Sequence, residues 1–224
     1  GAAAVGVFLL PHAVVAGLGG GTGFGYLGYH AERGLQVESV AGNLVALTSA
    51  LTGLPARVVV AHAACDVQAD WAGWVPSACT ALTAAGYGLV LIAAGYALWL
   101  RPAPDSSDRD RRFLAATLLA VAVPMLAAKV FSTQYLFWLL PLAGVLPGRR
   151  GAAVAALTAA MALLSRWFSF GYQGLVDIDV GMTALLTLRN ALLAVVIGLA
   201  LGMLLRRGNP APDPRSRVSN PLSP

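Results

Sequence analysis

The stretch Ala78 to Leu100, ACTALTAAGYGLVLIAAGYALWL, holds no charged residue and is followed at once by Arg101-Pro102. At ~1.5 Å of rise per residue an apolar helix of this length crosses the hydrocarbon core of a bilayer. The rest of the chain repeats the theme. Its 224 residues are 58% hydrophobic and 11% charged, with a mean hydropathy of +0.71. These values define an all-α, polytopic transmembrane helical bundle in one domain, residues 1–205. Spans are expected at about 2–27, 78–100, 113–128, 131–147, 151–168 and 184–205, with residues 40–54 as a short re-entrant or interfacial helix. Residues 206–224, rich in Pro, Arg and Ser, read as a disordered cytoplasmic tail. The chain opens Gly1-Ala2-Ala3-Ala4-Val5 inside an apolar segment, without the basic flank of a signal peptide, and so reads as N-terminally truncated.

A net charge of +5 would suggest nucleic acid in a soluble protein. Here the arginines gather in a charged loop at 101–112, at Arg149-Arg150 and in the tail, which is an orientation signal instead and speaks against a nucleic-acid partner. Those segments are expected in the cytoplasm, and the loops 55–77 and 168–182 outside. In a multi-pass cell-membrane protein so oriented, Lys129, Arg166 and Arg189 fall at outer ends of spans. Cations are unfavourable there unless they pair, line a polar cavity or hold an anion.

Between the first apolar segment and residue 40 lies a polar knot, Tyr29-His30-Ala31-Glu32-Arg33-Gly34-Leu35-Gln36-Val37-Glu38-Ser39. Leu35 and Val37 alternate with Gln36 and Glu38 as in an extended segment, and Ser39 suits the N-cap of the following helix. If residues 40–54 span the membrane the knot is cytoplasmic; if they do not, it is external. The latter is the expectation.

The knot together with Lys129-Val130-Phe131-Ser132-Thr133-Gln134-Tyr135-Leu136-Phe137-Trp138-Leu139-Leu140-Pro141-Leu142 resembles the GT87 (DUF2029) family of GT-C-type membrane glycosyltransferases. Thr133 stands where the family pattern usually has proline. The resemblance implies an extracytoplasmic active face, a polyprenyl-phosphate-linked sugar donor, mannose foremost, and a lipid or glycan acceptor among membrane lipids. It also implies a catalytic Asp upstream of these residues. Glu38 is the local substitute as catalytic base, or else orients Arg33 or His30. Donor phosphate and sugar are expected at His30, Arg33, Gln36, Lys129, Gln134, Tyr135, Arg166 and Arg189, since guanidinium groups suit bidentate phosphate contact.

Asp66, Asp70, Trp71 and Trp74 are expected to form an acceptor loop, with the tryptophans at headgroup level. Asp66-x-Gln68-x-Asp70 offers too few ligands for more than a weak divalent-cation site, so no cofactor is assigned. Cys65 and Cys79 fall near this loop and are positioned in sequence to pair in an oxidising compartment. A transporter or flippase of a lipid-linked or small anionic solute, or a non-catalytic membrane subunit, are the competing readings.

Overall fold

A computed structural model describes residues 33–206 except 62 and 63, together with Val14 and Gly17. The expected span 2–27, His30 and the tail beyond residue 206 therefore lie outside the described residues, but for Val14 and Gly17. The chain is mostly helical. In order, it forms α1 (Val40–Thr52), β1 (Arg57–Ala61), β2 (Ala64–Gln68), α2 (Val75–Gly95), α3 (Ser106–Ala127), α4 (Leu136–Gly144), α5 (Gly148–Phe170), α6 (Tyr172–Val176) and α7 (Val180–Leu205). Three continuous helical stretches are long and apolar enough to cross a membrane: Asp70–Leu100, Gly148–Phe170 and Val180–Leu205.

The expectation of an all-α chain needs correcting. Val58, Val59 and Val60 are β-branched and form one arm of an antiparallel hairpin, with Val58 opposite Val67 and Val60 opposite Cys65. The polar knot joins its free edge through a bridge from Gln36 to Asp66, and the Val37 amide donates to the Cys65 carbonyl at 2.9 Å. The alternation at residues 35–38 then buries Leu35 and Val37 with Val45 and Ala46 of α1, Val67, Ala72 and Cys79 in a small core. Ser39 caps α1, its Oγ accepting from the Gly42 amide at 3.0 Å. Gly53, at φ 74°, ends α1 in the left-handed region, and the chain returns to the sheet within four residues. Both flanks of α1 thus belong to one sheet, so α1 does not carry the chain across to the far end.

One expected boundary moves and one expected span is broken, each for a local reason. The charged loop 101–112 is in good part helix. Asp105 caps α3, its Oδ1 accepting from the Asp108 amide at 2.8 Å, and Asp108 pairs with Arg111 and Arg112 one turn on. Arg112 is 1% exposed and donates to the carbonyls of Ala97 and Arg101 at 2.9 and 3.0 Å. Those carbonyls belong to the π-helical turn Tyr96–Leu100 that ends α2, and to the residue after it. The expected span 131–147 is not one continuous helix: a 3-10 turn, Thr133–Tyr135, precedes the nine-residue α4, and the segment as a whole runs from the knot end, where Lys129 and Thr133 are bound, to the arginine-bearing end, where Gly148 begins α5.

α3 lies between α2 and α7. Ala115, Leu118, Leu119, Ala122 and Met125 bury one helical face against Leu193, Val196, Ala200 and Met203. Away from this core, Leu89, Leu91, Ile92, Leu163 and Trp167 are exposed, as a lipid-facing surface requires. α7 ends where Arg101, Arg111 and Arg150 donate to the carbonyls of Leu205, Met203 and Gly202, which gathers the arginine-bearing segments at one end. The knot, the hairpin and the start of α7 occupy the other.

Candidate functional site

The knot meets the second sequence block directly. The Gln36 amide donates to the Lys129 carbonyl at 2.9 Å. Glu38, 8% exposed, receives the Thr133 amide at 3.2 Å and the Thr133 hydroxyl at 3.4 Å on Oε2. Thr133 supplies both donors to this carboxylate, and a proline at 133 would have neither. Glu38 thereby holds the turn that precedes α4.

Arg189 enters from α7. It is fully buried, donates through Nη2 to the Glu38 main-chain carbonyl and to Asn190 Oδ1 at 2.8 Å, and lies with Cζ 4.3 Å from the Phe131 ring centre. Its Nη1 is buried without a hydrogen-bond partner. Beyond it, Asn43 Nδ2 donates to the Thr183 carbonyl at 2.9 Å. Asn43 Oδ1 accepts from Thr187 Oγ1 at 2.9 Å and, more weakly, from Asn190 Nδ2 at 3.3 Å. A continuous polar network thus joins α1, α7 and the knot.

Glycines set how closely these parts approach. A Cβ on Gly34 would meet Asp66 Oδ2 at 2.5 Å, and one on Gly42 would meet the Gln36 carbonyl oxygen at 2.1 Å. Asp66 is 3% exposed, and its Oδ1 and the Gln36 Oε1 are buried acceptors without hydrogen-bond partners. Arg33 and Lys129 are half-buried, Arg33 next to Gly34 in the chain and Lys129 joined to Gln36 through its main-chain carbonyl. Tyr172, from α6, faces Glu38 and Cys65; burial, then the Glu38 charge, pushes its hydroxyl well above the ordinary tyrosine range.

Other expected residues lie apart. Arg166 is exposed and stacks over Phe170, with Cζ 4.3 Å from the ring centre. Gln134 is exposed, and half-buried Tyr135 stacks on Trp138 at 4.8 Å between centroids. Asp70 and Trp74 are exposed and Trp71 Nε1 donates to the Pro55 carbonyl at 3.1 Å, whereas Asp66 points into the knot. Among the described residues no group of three or more His, Cys, Asp or Glu is placed to hold a metal ion. Cys65 and Cys79 are free thiols, both packed in or against the small core.

The sequence reading missed Asn43, Asn190 and Tyr172. For the first two a signal existed: Thr183, Thr187 and Asn190 share one α7 face at spacings of four and three, beside Arg189. Comparison with family models, curated proteins and solved structures returned no match.

Proposed function

We propose that the chain is part of an integral membrane glycosyltransferase, a polytopic GT-C-like bundle that moves a sugar, mannose foremost, from a polyprenyl-phosphate donor to an extracytoplasmic lipid or glycan acceptor. One observation carries the reading. Two sequence blocks about ninety residues apart, each bearing a cation, are joined through Gln36–Lys129 and Glu38–Thr133 beside a buried arginine. Polar groups concentrated in so apolar a chain are unfavourable without a task.

In this reading the arginine-rich end faces the cytoplasm and the knot faces outward. Arg33 and Lys129 receive the phosphate that departs when the bond from sugar C1 to phosphate oxygen breaks. The acceptor oxygen bonds to C1, and its proton passes to a carboxylate upstream of the described residues. Arg189, Glu38 and Thr133 are positioning residues: they hold the turn that carries Lys129 against the knot.

The test is sugar transfer by the full-length membrane protein. Arg33→Lys exchanges a bidentate fork for a point charge, and Lys129→Ala removes a charge. Each is expected to lower donor use by about 10- to 100-fold, matching the ~1.5–3 kcal/mol of hydrogen bonds to charged groups. Combined, they should cost less than the sum, because groups on one phosphate couple. Wild-type transfer by both single variants would overturn the reading, and solute counterflow without transfer would replace it by transport.

A further inference from the structure

At the end of the molecule opposite the knot, the starts of α3 and α5 and the end of α7 enclose a cavity of about 640 Å³. Its lining includes Asp105, Asp108, Arg111, Arg149, Arg150 and Arg206. Four arginines against two carboxylates leave an excess of two positive charges among these residues.

Among the described residues neither carboxylate forms an ion pair with Arg149, Arg150 or Arg206. Asp105 Oδ1 accepts from the Asp108 amide at 2.8 Å and the Ser107 hydroxyl at 2.7 Å, which hold its carboxyl below the usual carboxylate range. Asp108 is buried and paired to Arg111 and Arg112 within its own helix. Arg111 is further held by the Met203 carbonyl at 3.1 Å, whereas Arg150 reaches the Gly202 carbonyl only at 3.4 Å, and Arg149 and Arg206 are exposed. α5 opens here without a side-chain cap, so its first amides add to the positive potential.

The cavity's depth says what anion it meets. It lies where two helices of membrane-crossing length terminate, and Trp99, 83% exposed, ends α2 at the same end of the molecule. Tryptophan and arginine together mark headgroup level. We propose that this cavity binds the phosphate headgroup of an anionic phospholipid, with Arg149, Arg150 and Arg206 as the ligating cations. The proposal rests on membrane placement and is independent of sugar transfer.

The experiment takes the full chain, delipidated in neutral detergent, and follows thermal protection and lipid adducts in native mass spectra. The probes are phosphatidylglycerol, phosphatidylcholine and inorganic phosphate. Phosphatidylglycerol is expected to protect, phosphatidylcholine and inorganic phosphate far less. Arg149→Gln/Arg150→Gln should weaken phosphatidylglycerol binding about tenfold or more, whereas Arg109→Gln, an exposed change at the same end but outside the cavity lining, should not. Should the double variant not fold, Arg149→Gln alone gives the same readout. Equal protection by the two lipids, protection by inorganic phosphate matching that by phosphatidylglycerol, or full binding by the arginine variants would each overturn the proposal.

Discussion

Arg189 sits at the meeting point of three segments, and its chemistry is hard to replace. The guanidinium serves the Glu38 carbonyl and Asn190 Oδ1 at once while its Cζ lies over the Phe131 ring. A lysine keeps the charge but has neither the fork nor the planar face. Arg189→Lys is therefore expected to lower stability by about 1.5–3 kcal/mol, read as a fall in the thermal midpoint in detergent; an unchanged midpoint would refute the role. Tyr172 gives a pH-dependent counterpart. Its hydroxyl is favoured in the neutral form by burial and by Glu38, so the folded state holds that proton more tightly than the unfolded chain does. The stabilisation is complete below the unfolded value of about 10 and lost as pH rises beyond it. The wild-type midpoint should fall on the alkaline side of about pH 10, and Tyr172→Phe should flatten that limb. Equal alkaline limbs for the two proteins would dismiss the tyrosine as its source.

Among the elements, α1 depends on close backbone approach. Gly42→Ala would drive a methyl group into the Gln36 carbonyl oxygen, so α1 must shift off the knot, at about 1–3 kcal/mol. Gly88→Ala, in open space within α2, should be neutral or stabilising by up to ~1 kcal/mol. Unfolding midpoints for the pair check this, and equal loss at both sites would contradict it. What was legible in the sequence was local: the Ser39 cap and the long apolar helices follow from near-neighbour chemistry. What was not legible depended on distant partners. The start of α3 looks like a loop because its charges suggest solvent, yet Asp108, Arg111 and Arg112 satisfy one another within a turn. Residues 131–147 look like one continuous helix because apolar composition carries no trace of Glu38 holding Thr133 from 95 positions away. In the site, the cations stood out in the sequence, but Tyr172 did not, since its significance arises only from the fold that sets it against Glu38.

For the whole molecule, the two ends are chemically distinct, and Trp74 and Trp99 lie roughly 38 Å apart along one helical stretch at ~1.5 Å per residue, close to a bilayer with its headgroups. Single cysteines at Asp70 and Ser107, both exposed, should therefore react with impermeant reagents from opposite sides, Asp70 from outside. Labelling of both from one side would overturn the orientation. Arg112 ties this architecture to its biogenesis. The carbonyls it satisfies, Ala97 and Arg101, precede it by 15 and 11 positions. While α2 is leaving the ribosome its last turn is unfinished, and only the arrival of α3 completes it. The two helices should therefore be released into lipid as a hairpin. A nascent chain stopped before Arg112 is expected to stay crosslinked to the insertion machinery, and one extended through α3 to be set free; prompt release of the shorter chain would show that α2 enters lipid alone.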